Sequence, residues 1–139
     1  ARKLSGPIMD RIDMWVPVQH IDYDTLTHTR IGEESETIRT RVIKARQFAT
    51  NRFKEKGNNN ITKNKDMKAR DIAKYIELSP QTLSLMKQLA TSYTLSPRAY
   101  HRVLRLARTI ADLKQQKEIA DADILEAFQY RPKLYQDRI

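Results

Sequence analysis

Four arginines recur at helical spacing in the stretch that opens at Pro97: Arg98, Arg102, Arg105 and Arg108. At 100° per residue they fall within one sector of about 120°, opposite an apolar set made of Tyr100, Val103, Leu104, Ala107, Ile110 and Ala111. Like charges stacked in this way repel by a few tenths of a kcal/mol per pair, so an anion should offset them. That anion is either phosphate or an acidic side chain. Asp112 follows on the same face, and Asp10, Asp13, Asp121, Asp123 and Glu126 are also available. The stripe alone divides evenly between a solvated, salt-bridged face and a phosphate-binding face. Arg98 differs from the other three because it stands in the first turn, beside free backbone N–H groups and the positive end of the helix dipole, where a terminal phosphate would meet both charge and donors.

Other residues carry weaker signals. Arg11 lies between Asp10 and Asp13, which either aim its guanidinium outward or neutralise it as a surface cluster. Lys63, Lys65 and Lys68 sit in or beside an Asn-rich loop and could follow phosphates. The polar face of a long helix carries Arg39, Arg41, Lys44, Arg46, Arg52 and Lys54, which reads first as a solvated face and second as a nucleic-acid contact. His20, His28 and His101 have no i, i+4 ligand partner, and the chain has no Cys, so a zinc site is not expected. Trp15 and Phe48 read as packing residues rather than base-stacking platforms.

Composition narrows the classes further. The 139 residues carry 26 Lys+Arg against 17 Asp+Glu, a formal +9, and the excess is concentrated in 31–56, 57–76 and 96–118. Such a balance points to an anionic partner, nucleic acid or nucleotide phosphate. Only Gly6, Gly32 and Gly57 are present, so no glycine-rich phosphate cradle exists in this stretch. The length suits one domain with a tail. No apolar run approaches the roughly 20 residues of a membrane span, and no basic-then-apolar leader opens the chain. The absence of Cys fits a reducing compartment, and the expected location is the cytoplasm.

The elements that must position these groups are mostly helical. Met14–Val18 reads as a short strand with no partner, and Pro17 restricts it to an edge or an end. Residues 1–18 therefore read as the tail of another domain; the alternatives are a wrap over the helices or pairing with a second copy of the chain. A long helix is expected from near Gly32 to Lys56, with Ile38, Val42, Ala45, Ala49 and Phe53 as its buried stripe and Glu33, Glu34 and Glu36 against its N-terminal dipole. A short helix is expected over 66–75. Ser79-Pro80 and Ser96-Pro97 each place a capping hydroxyl before a proline at the first helical position, and so start helices reaching Tyr93 and Leu113. A last helix over 121–130 turns Ile124, Leu125 and Phe128 inward, with Ile119 as a staple. The class is mainly α: four or five helices preceded by one short strand.

Three stretches carry a family resemblance: KLSGPIMDRIDMWVPV at 3–18, LSPRAYHRVLRLARTIADL at 95–113 and EAFQYRP at 126–132. They resemble the C-terminal part of magnesium-chelatase-like AAA+ ATPases, nearest the ComM/YifB group, and the likeness extends to about Leu134. The resemblance implies a ring-forming, hexameric ATPase. Residues 1–29 would close its α/β core and connect to a helical lid over 30–134, followed by a tail at 135–139. It also implies that Arg11 is the arginine finger reaching a neighbouring subunit's nucleotide. Arg98 is implied to be the sensor-2 arginine on the γ-phosphate, and so the cofactor-binding and catalytic residue of the lid. Walker A, Walker B and sensor-1 elements have no counterpart here, so ATP with Mg is implied for the longer protein and no hydrolysis is expected of these residues alone. The implied work is on DNA, in competence or recombination and of a helicase-like, branch-migrating kind, rather than metal insertion. Arg102, Arg105, Arg108, Lys63 and Lys65 are the weaker candidates for DNA contact. The alternative is a stand-alone basic helical module that binds nucleic acid without an ATPase role.

Overall fold

The computed structural model describes residues 8, 11–18, 32–57 and 60–131. Asp10, His20, His28 and residues 132–139 lie outside the described residues, as does most of the expected segment 1–29. From Gly32 onward the described residues form five α-helices in order: α1 (Ser35–Glu55), α2 (Ala69–Tyr75), α3 (Pro80–Ser92), α4 (Pro97–Leu113) and α5 (Asp121–Gln129), with a 3-10 turn at Asn64–Asp66 between α1 and α2. None of the described helices is long and apolar enough to cross a membrane.

The helix α4 is the hub. It packs against α1, α2, the 3-10 turn and α5, while α3 packs on α5. Its small buried residues Ala99, Ala107 and Ala111 let neighbouring axes come close, and Val103, Leu104 and Ile110 fill the space between. Around them lie Phe53 from α1, Met67 from the link between the 3-10 turn and α2, Ile72 and Tyr75 from α2, Met86 from α3 and Ile124 and Phe128 from α5. Phe53 meets Tyr75 edge-on at 5.2 Å between ring centroids, and Tyr93 meets Phe128 at 5.6 Å. The joints follow local chemistry. Ser79 Oγ accepts from Thr82 N at 3.1 Å and Ser96 Oγ from Ala99 N at 3.2 Å, with Pro80 and Pro97 in first position. Ile119 is buried before α5, and Asp123 Oδ2 accepts from Ala120 N at 2.9 Å.

Several expectations are corrected. Met14–Val18 forms no strand, and the described residues contain none. A strand needs a ladder partner, and the Trp15 amide instead donates to Tyr130 O at 2.8 Å, beyond the end of α5. Trp15 and Asp13 of this segment thus contact the helical body. The long helix starts at Ser35, leaving only Glu36 in its first turn. Glu33 is drawn to Arg41 in a two-pronged pair at 2.8 and 2.9 Å. Ile38 is 41% exposed, because the buried stripe of α1 is confined to Ala45, Ala49 and Phe53. Leu125 on α5 is 46% exposed. The expected helix over 66–75 begins only at Ala69, since Asn64 is pulled inward and tightens residues 64–66 into a 3-10 turn.

Candidate functional site

The arginines of α4 diverge in environment from one turn to the next. Arg98 is exposed. Pro97 has no N–H, Ala99 gives its own to Ser96 Oγ, and Tyr100 donates to Ser96 O at 2.9 Å. The Arg98 amide is then the first-turn donor with no acceptor among the described residues, on the same residue as an outward guanidinium. That is the local chemistry of an anion site at a helix start.

Arg102, one turn on, is almost enclosed. Its side chain is 13% exposed and its Nε lies 3.4 Å from Asp13 Oδ1. The buried Nε and Nη1 have no hydrogen-bond acceptor among the described residues. Arg105 reaches sideways to the link between the 3-10 turn and α2, Nη1 donating to Met67 O at 3.0 Å.

Arg108 is not available to a ligand at all. It is 2% exposed, and its Nε donates to Asp112 Oδ1 at 3.0 Å, its Nη1 to Lys117 O at 2.8 Å and its Nη2 to Gln116 O. Burial pushes its pKa below the ordinary arginine value, and the Asp112 carboxylate opposes that shift. Its expected place on a nucleic-acid face is therefore corrected: Arg108 is an internal strut closing the loop after α4. The acids that offset the stripe are Asp112, at i+4 from Arg108, and Asp13 beside Arg102. Asp123 and Glu126, also considered for that role, instead receive Lys114 Nζ at 2.6 and 3.3 Å, while Asp121 accepts from Gln81 and Thr82.

The residues overlooked in sequence are Arg52 and Asn64. Arg52, placed there on a solvated face, donates from Nη2 to Asn64 Oδ1 at 2.7 Å and to Asp112 Oδ2 at 3.0 Å. Asn64 Nδ2 donates to Asp112 Oδ2 at 2.7 Å and to Thr109 Oγ1 at 3.1 Å. One carboxylate thus joins α1, the 3-10 turn and α4. The available signal was position: Arg52 directly precedes Phe53, at the edge of the buried stripe. Lys63 and Lys65 flank Asn64 and are exposed, as is Lys68. Arg11 is exposed, its amide closing a turn on Ile8 O at 2.9 Å. His101 is half-buried against Tyr100, and Trp15 and Phe48 are half-buried. Among the described residues no group of His, Cys, Asp or Glu could hold a metal ion.

With this geometry in place, likeness to known proteins is informative. Residues 32–131 match the family described as "Magnesium chelatase, subunit ChlI C-terminal", a span that contains every helix described above. The chain is 32% identical over 130 residues to the competence protein ComM of Haemophilus influenzae, covering 93% of this chain and 24% of that protein. It is also 32% identical to the uncharacterized protein YifB of Salmonella typhimurium over the same 93% and 24%, and 26% identical to Rv2897c of Mycobacterium tuberculosis over 93% and 25%. The chain thus spans about a quarter of the length of these relatives. A helical body whose whole extent matches, with a relative above 30% identity across nearly all the chain, places it: the protein belongs to the magnesium chelatase ChlI C-terminal family, as a C-terminal helical region of the ComM/YifB kind.

Proposed function

We propose that this region is the helical lid of a AAA+ ATPase that assembles as a cytoplasmic ring, hexameric in the family's manner, and couples ATP binding and hydrolysis to work on DNA. In this reading residues 1–29 close the α/β core and 30–134 form the lid. The observation that carries it is Arg98: an exposed guanidinium and a first-turn amide with no acceptor among the described residues, at the start of the hub helix, so that what Arg98 binds acts on the helix touching most of the domain. These groups suit the oxygens of a terminal phosphate, and ATP with Mg in the longer protein supplies the phosphoryl group to be transferred. Arg98 stabilises charge on that group from within the subunit. Arg11, exposed on the segment laid against the lid, does so for the neighbouring subunit. The DNA part of the reading is supported by the positive charge of the chain and by the name of the competence protein it resembles.

The experiment is complementation in full-length protein. Arg98→Ala and Arg11→Ala should each cut ATP turnover by about 10³-fold or more, the order of an arginine contact to the transferring phosphoryl, with unchanged melting. Mixing the two variants should restore activity, because a site with its own Arg98 then meets a neighbour's intact Arg11. Normal turnover by Arg98→Ala removes the sensor role, and mixed rings that stay inactive remove the trans role of Arg11.

A further inference from the structure

Among the described residues, the segment carrying Arg11 is tied to the helical body at Trp15 and at Asp13. Trp15 N donates to Tyr130 O at 2.8 Å, and Asp13 Oδ1 lies 3.4 Å from Arg102 Nε. The ion pair is lopsided: Asp13 is 69% exposed and Arg102 only 13%. Arg102 is held by the packing of α4, and with Nε and Nη1 desolvated it needs a counter-charge, which among the described residues Asp13 provides. Arg102 is thus the fixed post and Asp13 the group tied to it.

Position gives this tie a consequence. Arg98 stands one turn before Arg102, about 5–6 Å along the same face. Arg11 stands two residues before Asp13, at most about 7 Å of chain. Arg11 and Arg98 are therefore linked through Asp13 and Arg102, the first by two residues of chain and the second by one turn of α4.

We infer that Arg102 is a positioning residue: through Asp13 it makes the Arg11 segment move with α4, so that a shift of α4 when Arg98 meets a phosphate is passed to the neighbouring site. This rests on the roles of Arg98 and Arg11 proposed above. Arg102 is enclosed and Asp13 is itself an anion, so in this reading their loss acts on turnover and on communication between sites rather than on ATP affinity.

The test is steady-state ATP hydrolysis by full-length protein across a range of ATP concentrations. Asp13→Asn, on the exposed side of the pair, should lower kcat by about two- to thirty-fold. It should bring the Hill coefficient toward 1 and leave the KM for ATP within about twofold. Arg102→Gln should do the same, and Asp13→Glu should recover most of the loss. A wild-type kcat for Asp13→Asn overturns the inference, as does a rise in KM in step with the fall in kcat. Arg98→Ala in the same assay separates the two levels. If Arg98→Ala is inactive while Asp13→Asn is normal, only the coupling fails. If Arg98→Ala turns over normally, the phosphate-sensing role fails and the coupling with it.

Discussion

Two guanidiniums and one carboxylate share the space between α1 and α4. Arg52 and Asp112 are 10% and 2% exposed, and Arg108 is 2% exposed, so each depends on protein partners rather than water. Asp112 divides its oxygens, Oδ1 taking Arg108 and Oδ2 taking both Arg52 and Asn64. Such a cluster is not a large net source of stability, because desolvation offsets much of its attraction, but removing one member exposes the full cost of the others. Asp112→Ala would leave two buried cations without an anion. The expected loss is about 3–5 kcal/mol, a large part of what a domain of this size possesses. Melting followed by circular dichroism should fall by well over 10 °C, at roughly 4–8 °C per kcal/mol. Asp112→Asn keeps the shape and should fall less. A Tm change of only a few degrees for Asp112→Ala would mean that the carbonyls of Gln116 and Lys117 and the Asn64 amide carry Arg52 and Arg108 by themselves.

The helices show which of these features can be read from a sequence. Starts were legible because Ser-Pro states its chemistry locally: a hydroxyl acceptor, then a residue with no amide to satisfy. The helix ends at Thr94 and Gln115 were not. Both adopt positive φ, 47° and 55°, in αL caps normally filled by Gly. Leu95 N donates to Ala90 O and Gln116 N to Ala111 O, each at 2.9 Å, the six-to-one bond of such a cap. A side chain there costs about 1 kcal/mol, so Thr94→Gly and Gln115→Gly should each stabilise by about 0.5–1 kcal/mol, read as a higher denaturant midpoint at constant slope. Periodicity likewise revealed the apolar faces of α1 and α5 but not what covers them, which is why Ile38 and Leu125 emerge in the open. The i, i+4 spacing of Arg108 and Asp112 was visible, whereas their burial depends on α1 arriving from 60 residues away. Lys114 extends the link from α4 to α5. Its hydrogen bond to Asp123, then Glu126, raises its pKa above the ordinary lysine value. A raised value means that its stabilisation is complete below the unfolded pKa of about 10.4 and is lost as pH rises through the folded one. The Tm difference between wild type and Lys114→Met should therefore be present at pH 8 and shrink above about pH 10.4. A difference that persists there would assign the effect to packing of the lysine stem.

At the scale of the whole molecule the +9 charge is smaller in effect than in count. Arg52 and Arg108 are committed to interior partners, Arg105 to a carbonyl, and Arg102 to Asp13. Among the described residues, exposed lysines and arginines remain for an outside polyanion, and Lys63 and Lys65 are the best placed. They flank Asn64, whose side chain is fixed inside, so the backbone from which they project is rigid even though their own stems are not. A polyanion held by such groups releases counterions, and each phosphate neutralised adds about 0.9 to the slope of log affinity against log salt. If DNA passes this face, Lys63→Ala with Lys65→Ala should weaken binding of full-length protein about equally for all sequences and reduce that slope by up to about 2. Arg108→Ala should change affinity only as far as it unfolds the domain, since its guanidinium never meets solvent. A salt slope that is identical in the lysine double variant and the wild type would remove the 3-10 turn from the DNA path. The proposed role of this region in a ring ATPase would then rest on Arg98 and Arg11 alone.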